Sequence, residues 1–153
     1  MREILFRGKR VDNNEWAISG DVFLGGKRKY IYIPNPDTDM SAKAYLCREI
    51  IPETVGQYTG LTDKNGTKIF EGDILQTITT DTNEERKALV GFGEFVDINN
   101  DDEYLGFYVE FCDIKTTITQ LLLEDTKDDF DIVGNIHDNP ELLKGGADNG
   151  KVY

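Results

Sequence analysis

The sequence has little of the side-chain chemistry on which most catalytic sites depend. Its 153 residues include a single histidine, His137, and the only serines are Ser19 and Ser41. A serine triad needs the histidine beside a serine, and a thiol site needs the same histidine beside Cys47 or Cys112. Nothing in the spacing brings either set together. We therefore predict no catalytic residues and no enzymatic activity.

Cysteines and glycine motifs are also too sparse for a cofactor. Cys47 and Cys112 lack the Cys-x-x-Cys spacing of zinc and redox sites, so we predict that both are reduced and buried. Residues 60–68 have the wrong spacing and residue order for a phosphate-binding loop. We expect no cofactor and no metal. Weak calcium binding stays open in one acidic run, at Asp125, Asp128, Asp129 and Asp131.

Long hydrophobic runs are absent as well. No run of aliphatic residues exceeds the three leucines at 121–123, whereas a membrane-spanning helix needs about 20 apolar residues. Residues 1–10 alternate charged and apolar side chains, unlike a signal peptide. We predict a protein without membrane contact that stays inside the cell.

Basic residues are few and unevenly placed. The chain has 17 basic and 29 acidic residues, a net charge of −12, and residues 73–153 hold 6 of the basic and 19 of the acidic ones, a net charge of −13. An acidic half favours basic partners and repels phosphate. The one basic cluster, Lys27, Arg28 and Lys29, lies next to Tyr30 and Tyr32 and is a candidate nucleic-acid contact. Because it can neutralise only about three phosphates, we expect no appreciable direct nucleic-acid binding.

The dominant hydrophobic period is two, which predicts strands. It runs through residues 16–24, 104–112 and 130–136, and Gly25-Gly26 predicts a hairpin over 16–33 with the basic cluster near its tip. Residues 37–51 fit a helix or a strand, and we favour a strand. We predict that the alternating apolar side chains are buried, namely Trp16, Ile18, Val22, Leu105, Phe107, Val109, Phe111, Ile132 and Ile136.

Glycine, aspartate and proline mark the corners. The tetrapeptide Asp63-Lys64-Asn65-Gly66 predicts a tight hairpin turn, and Gly72-Asp73 predicts a second corner. Gly91 and Gly93 predict a sharp bend or a close approach in a curled sheet. Asn139-Pro140 predicts one short helical turn. Together these signals predict a mainly β fold, with an N-terminal β-hairpin subdomain (1–57), a small curled SH3-like barrel (58–145) ending in the short helical turn, and a flexible tail (146–153).

Three blocks of the sequence resemble the YopX family of phage and prophage proteins. The central block is Val55-Gly56-Gln57-Tyr58-Thr59-Gly60-Leu61, followed by Asp63, Asn65-Gly66, Ile69 and Glu71-Gly72-Asp73-Ile74. The C-terminal block is Val133-Gly134-Asn135-Ile136 with Asn139-Pro140-Glu141-Leu142-Leu143, and the N-terminal block is Arg2-Glu3-Ile4, Phe6-Arg7 and Trp16. The blocks span the chain, but residues 79–129 have no residue-by-residue match.

The resemblance implies a small phage-encoded protein of the bacterial cytoplasm, mostly β, with no established activity or catalytic residues. The block residues favour turn and corner chemistry, since glycines 60, 66 and 72 permit unusual backbone angles and Asp63 and Asp73 can accept backbone N–H groups. A binding site within the same block stays the alternative.

These observations favour a non-enzymatic accessory protein whose acidic C-terminal half binds a host or phage protein with a basic surface. A nucleic-acid-related role is the main alternative, either by imitation of a phosphate backbone or by weak contact through residues 27–29 with Tyr30 and Tyr32 stacking on bases. An enzyme of unrecognised type, a structural virion component and homo-oligomerisation also stay open.

Overall fold

The computed structural model of the protein describes residues 3–37, 44–111, 118–121 and 129–143. The chain divides into two compact units, Met1–Tyr58 and Thr59–Tyr153. The described ranges hold twelve strands and two 3₁₀ turns, so the predicted mainly β fold is confirmed. No helix in them is long and apolar enough to cross a membrane. The tail predicted at 146–153 lies outside the described residues.

The first unit is built from short antiparallel strands. They are β1 (Phe6–Lys9), β2 (Trp16–Ser19), β3 (Val22–Phe23), β4 (Lys29–Pro34), β5 (Tyr45–Ile50) and the beginning of β6 (Gly56–Thr62), with a 3₁₀ turn at Pro52–Thr54. β1 pairs with β2 and with the start of β6, while β3, β4 and β5 form a three-stranded sheet in that order. Of the strand favoured for residues 37–51, β5 confirms the part from Tyr45 to Ile50, and residues 38–43 lie outside the described residues.

The hairpin predicted over residues 16–33 is only partly correct. The turn after β3 exists, and Gly26 has the positive φ of 74° that such turns favour. The run from 16 to 24, however, is interrupted at Gly20-Asp21. β2 pairs with β1, and only the two residues of β3 pair with β4.

The face of β2 predicted to be buried is the wrong one. Ala17 is buried with Ile31 and Ile50, whereas Trp16 is half-buried and Ile18 is 49% exposed. The cause lies on the neighbouring strand β1. A Cβ at Gly8 of that strand would lie only 2.7 Å from Ile50 Cδ1, so Ile50 already fills the space on this side. Small residues therefore face the core here because a large isoleucine fills the space in front of them.

Trp16 packs instead with cationic side chains of β1. The Arg7 guanidinium carbon lies 4.6 Å from the Trp16 ring centre, and Lys9 Nζ lies 5.6 Å from it. Both are cation–π distances. The tryptophan is thus covered by basic side chains and not by the apolar core. Val22, which was also predicted to be buried, is half-buried at the edge of that core.

The second unit contains a five-stranded antiparallel sheet, and this sheet is curled as predicted. Its strands lie in the order β11, β10, β9, β8, β12, and β7 neighbours β6. The strands are β7 (Lys68–Phe70), β8 (Asp73–Ile78), β9 (Glu85–Val96), β10 (Glu103–Phe111), β11 (Ile118–Leu121) and β12 (Asp131–Asn135), and a 3₁₀ turn occupies Pro140–Leu143. The short helical turn predicted after Asn139 is therefore confirmed.

The core of the second unit lies on one face of this sheet. Phe107, Val109 and Phe111 of β10 are buried in it, as their alternation predicted. Ile132 packs against this cluster from β12 but is only half-buried, as is Ile136. The sequence thus predicted the correct face of β10. The side chains on the edge strand β12 and just after it are less buried than expected.

Candidate functional site

The turn at Asp63 is held together by its own carboxylate. Oδ1 accepts hydrogen bonds from the backbone N–H groups of Asn65 and Thr67, at 2.9 and 2.8 Å. Oδ2 accepts a third from the N–H of Ile132, at 3.3 Å. Burial alone would raise the pKa of Asp63, but these donors outweigh burial, and the pKa lies below its ordinary value. The carboxylate is thus committed to backbone donors.

A glycine with left-handed geometry completes this turn. Gly66 has a φ of 82°, and its N–H donates to the Asp63 carbonyl at 2.9 Å. A Cβ at Gly66 would meet no heavy atom within 4 Å. The residue is therefore constrained by its backbone angle and not by crowding.

Gly72 and Asp73 form the second corner. Gly72 has a φ of 84°, and its N–H donates to the Val90 carbonyl at 2.9 Å. Asp73 is almost fully buried, and its Oδ2 accepts the N–H of Phe70 at 2.7 Å. Glu71, just before the corner, is half-buried. This corner, like the Asp63 turn, uses a carboxylate to satisfy a backbone donor.

The rest of the central block lies along β6 and just before it. Val55 packs against the core of the first unit. Gly56 and Gln57 pair with β1, and Tyr58 is buried, with its N–H donating to the Leu5 carbonyl at 2.9 Å. In the second unit, the Thr59 hydroxyl donates to the Ile69 carbonyl at 2.9 Å, and Gly60 has a φ of 91°.

Close packing also marks the end of β12. A Cβ at Gly134 would lie 2.6 Å from Oδ1 of Asn139. That oxygen accepts the N–H of Asn135 at 3.4 Å, and Pro140 begins the 3₁₀ turn that follows. Asn139 therefore links the strand end to the helical turn.

Lys27 and Arg28 lie in the turn between β3 and β4 and Lys29 begins β4, so the cluster is near the hairpin tip as predicted, but two of its three cations face protein groups. Arg28 Nε is 3.7 Å from a carboxylate oxygen of Glu49, and a hydrogen bond with Tyr30 together with this carboxylate raises the pKa of Arg28. Lys29 Nζ donates to the Leu24 carbonyl. Lys27 is exposed. Glu49 therefore offsets part of the positive charge of the cluster, while Lys29 keeps its charge but has one N–H engaged by the carbonyl.

Four aromatic side chains share the outer face of the sheet formed by β3, β4 and β5. Tyr30 and Tyr32 are two residues apart on β4 and point to the same face. The pairing of β4 with β3 brings Phe23 to this face, and its pairing with β5 brings Tyr45 there. The Phe23 and Tyr30 ring centres are 6.4 Å apart. A shallow cleft at this face is lined by Tyr32, Tyr45 and Asp21, among others. Sequence reasoning missed Phe23 and Tyr45, because only the strand order shows that they join the two predicted tyrosines.

The expectation that Cys47 is buried is wrong. Cys47 lies on β5 directly opposite Tyr32, and it is exposed on this aromatic face. A hydrogen bond with Cys47 raises the pKa of Tyr32. The short strand β5 puts alternate residues outside the core, and Cys47 takes one of the outer positions. Cys112 lies outside the described residues.

The two longest described strands form a hairpin with an apolar face that is buried at one end and exposed towards the tip. β9 and β10 pair without a register shift over their common length, so directly opposed residues share a face. Val90 and Val109 are buried on this face, but farther along it Phe92, Val96 and Leu105 are 50%, 47% and 71% exposed. We call this exposed part, consisting of Phe92, Glu94, Val96, Glu103 and Leu105, the hairpin face.

The burial predicted for Leu105 is therefore wrong. Leu105 alternates correctly with Phe107, and the two point the same way. The core ends at Phe107, whose ring centre lies 4.9 Å from that of Phe92. Leu105 is two residues farther out, where the sheet has left its core.

The opposite side of the same hairpin is covered by its own aromatic side chains. Phe95 is only 8% exposed, and its ring centre lies 5.7 Å from that of Tyr104 and 5.1 Å from that of Tyr108. Tyr108 lies directly across from Gly91, where a Cβ would come within 2.5 Å of the Tyr108 ring. The close approach predicted at Gly91 is thus made by an aromatic ring. Towards its tip, the hairpin therefore has one covered side and one exposed side.

The residues considered for catalysis and metal binding do not form a site in the described part of the chain. His137 is exposed in the turn after β12, and its N–H donates to Asn135 Oδ1 at 3.0 Å. Ser19 Oγ accepts the N–H of Asp21 at 3.0 Å, while Ser41 lies outside the described ranges. Those ranges contain no group of three or more His, Cys, Asp or Glu residues that could hold a metal, and Asp125 and Asp128 fall outside them.

Comparison with known proteins identifies the family. A family model described as YopX protein matches residues 5–144, which is nearly the whole chain. The chain belongs to the YopX family. No curated protein matches it. Among solved structures, the chain is similar to the crystal structure of protein EF1440 from Enterococcus faecalis, with 22% identity, coverage of 94% of this chain and 99% of that chain, and a TM-score of 0.49.

Within the second unit of this YopX protein, blocks that are distant in sequence meet through backbone contacts. The Asp63 carboxylate binds the N–H of Ile132, and the Gly72 carbonyl accepts the N–H of Ile136 at 2.9 Å. Asp73 is paired with Asn135 between β8 and β12. The central and C-terminal YopX blocks therefore form one connected set of turns and strand ends.

Proposed function

We propose that this YopX-family protein is a non-enzymatic interaction module of a phage or prophage. It acts in the cytoplasm of the bacterial host and uses its acidic second half to bind a host or phage protein with a basic surface. The uneven charge is the observation that carries the proposal, since residues 73–153 have a net charge of −13 and residues 1–72 are nearly neutral. Such a field attracts basic partners and accelerates their association.

The tip of the β9–β10 hairpin has the longest unbroken run of acidic residues in this half of the sequence. Asp101, Asp102 and Glu103 are consecutive and exposed, and no ion pair within the described residues involves them. A basic surface can therefore approach all three carboxylates without displacing a cation of the described residues. Exposed carboxylates of this kind contribute to association rate and to specificity.

A direct nucleic-acid role is the weaker candidate. The cluster at residues 27–29 has Arg28 beside Glu49 and Lys29 bonded to a backbone carbonyl. Asp21 lies in the cleft beside Tyr32, where it would repel a phosphate. Imitation of DNA by the acidic half remains compatible with the proposal, because it is one way of binding a basic protein.

The test begins with partner capture. The immobilised protein is exposed to host lysate, the captured proteins are identified by mass spectrometry, and binding of the purified partner is measured by calorimetry at about 50 and about 300 mM salt. We expect a partner with a basic surface and an affinity that falls at least about tenfold at the higher salt concentration, because the attraction is screened. Competition by duplex DNA would identify the partner as a DNA-binding protein and the mechanism as imitation.

A pair of charge-matched variants locates the effect. The hairpin-tip variant carries Asp101→Asn, Asp102→Asn and Glu103→Gln, and the control carries Asp21→Asn, Asp37→Asn and Glu53→Gln at exposed positions of the first unit. We expect the tip variant to weaken binding and the control to leave it unchanged. Binding that is insensitive to salt and to both variants would refute the proposal.

A further inference from the structure

The hairpin face has the composition of a binding surface. Its apolar members continue the row of core residues on β9 and β10, yet Phe92 is 50%, Val96 is 47% and Leu105 is 71% exposed. The other side of the same two strands is covered by Phe95, Tyr104 and Tyr108. The exposure is therefore confined to one side of the hairpin, on strands that are otherwise well packed.

Carboxylates alternate with the apolar side chains on this face. Glu94 lies between Phe92 and Val96 along β9 and directly opposite Leu105 on β10. Glu103 lies directly opposite Val96. Apolar and acidic groups thus alternate both along and across the two strands.

The spacing favours a ligand in extended conformation. Residues on one face of a strand repeat every second position, at about 6.6–7 Å. An extended segment has the same repeat, so its alternate side chains can meet Phe92, Glu94 and Val96 in turn. A leucine would lie against an apolar position, and a lysine would lie against a carboxylate.

We infer that the hairpin face is a docking surface for an extended segment of a basic partner protein. The side chains on one side of this segment, at every second position, are in turn an apolar residue and a lysine or arginine. This inference rests on the proposed function and specifies where its partner binds. The apolar contacts supply affinity through burial, and the carboxylates select a basic partner.

Charge argues against a second copy of this chain as the occupant. Two hairpin faces brought together would bring Glu94 and Glu103 of each copy close to those of the other, in an apolar setting where like charges repel strongly. The basic segment removes this repulsion. A protein that stays monomeric while keeping Leu105 exposed is the expected state without partner.

The probe is a labelled synthetic peptide with the pattern Leu-Thr-Lys-Thr repeated three times. Its extended form presents leucine and lysine alternately on one side. The control peptide has the same composition in the pattern Leu-Lys-Thr-Thr, which breaks this arrangement. Fluorescence anisotropy at low salt measures both, and we expect the first peptide to bind at least about tenfold more tightly.

Matched variants of the full chain test the surface. The variant with Phe92→Ser and Leu105→Ser removes the apolar contacts and keeps every charge, and Ile78→Ser changes an apolar residue of β8 that is 55% exposed and lies outside the hairpin face. We expect the first variant to lose the preference between the two peptides and the second to retain it. Circular dichroism and melting curves verify that both variants are folded.

The outcomes separate this inference from the proposed function. Equal binding of both peptides, or a preference that survives Phe92→Ser with Leu105→Ser, overturns the inference. If the natural partner still responds to salt and to the hairpin-tip variant in that case, the proposed function stands. A dimer in sedimentation experiments that is lost on Leu105→Ser would also overturn the inference, because the occupant would be a second copy.

Discussion

The carboxylate of Asp63 accepts a hydrogen bond from the backbone N–H of Ile132, a residue 69 positions later in the chain. The same turn donates the N–H of Lys64 to the Phe130 carbonyl at 3.1 Å and forms a Lys64–Asp131 ion pair. One family turn thereby anchors the start of β12 in the second unit. The stability of this turn should depend on the ionised carboxylate of Asp63.

Asp63→Asn should therefore destabilise the protein. Asparagine keeps one acceptor oxygen but turns an NH₂ group towards a backbone donor, so a cost of about 1–3 kcal/mol in the free energy of unfolding is expected. Urea denaturation at pH 7 measures it. Asp81→Asn at an exposed loop position is the control and should change stability by less than about 0.5 kcal/mol.

The pH dependence of this difference follows from the lowered pKa of Asp63. A group whose pKa is lower in the folded state stabilises the fold above its unfolded pKa of about 3.9 and loses this contribution as pH falls through the folded value. The difference between wild type and Asp63→Asn should be constant from about pH 5 to 8 and shrink below about pH 4. A difference that grows on acidification would contradict the hydrogen-bond assignment.

The left-handed backbone at Gly66 gives a second prediction. Gly66→Val should cost more than about 1 kcal/mol in stability, since a β-branched residue is strained at a φ of 82°. Gly66→Asn should retain most of the stability, because asparagine tolerates this region and the space around the glycine is open. Thermal melts of both variants decide, and equal losses would mean that crowding limits the site.

Phe107 and Leu105 form a matched pair, since they lie on one face of one strand with different burial. Phe107→Ala should lower the free energy of unfolding by about 3–5 kcal/mol, because a buried aromatic leaves a cavity. Leu105→Ala should change it by less than about 0.5 kcal/mol. A large loss at Leu105 in chemical denaturation would show that the core extends farther along β10.

A fourth prediction uses the two glycines Gly91 and Gly106. A Cβ at Gly91 would clash with the Tyr108 ring, so Gly91→Ala should cost about 1–3 kcal/mol. A Cβ at Gly106 would meet nothing within 4 Å, so Gly106→Ala should be neutral or slightly stabilising. Truncation of Tyr108 to serine should reduce the additional cost of Gly91→Ala, and a double-mutant cycle measures that coupling.

Direct nucleic-acid binding provides the last prediction. With a net charge of −12 and two of the three clustered cations facing protein groups, no duplex binding should be measurable at about 150 mM salt. Fluorescence anisotropy with labelled duplexes tests this. Micromolar binding that disappears when Lys27, Arg28 and Lys29 are changed together to alanine would favour a nucleic-acid-binding role over the protein-interaction role.

The features predicted correctly are those that depend on neighbours in sequence. Alternation fixed the orientation of Phe107 along β10, and the Asp63 turn follows from aspartate at its first position and glycine at its fourth. The face of β2 could not be predicted in this way, because it depends on Ile50 filling the space in front of Gly8. No local pattern in the sequence contains that contact.

The candidate surfaces divide along the same line. Tyr30 and Tyr32 were found from sequence because they lie on one strand beside a basic cluster. Phe23 and Tyr45 join them only through the strand order. Likewise, the exposure of Leu105 depends on where the core ends, and the alternation along β10 continues past that point without any change that would reveal it.

The Tyr108 ring over Gly91 also determines how β9 and β10 align. Slippage by a single residue would bring Tyr108 opposite Val90 or Phe92, and it would move Phe95 from the covered side to solvent, since successive side chains point to opposite sides. The alternation of apolar residues along both strands also opposes this one-residue slip, because the slip would turn core side chains away from the core. A slip by two residues keeps the alternation, and in one direction it would bring Tyr108 opposite Leu89, whose side chain would meet the ring for which Gly91 leaves space. The missing side chain at Gly91 thus adds an alignment mark that the alternation alone does not supply.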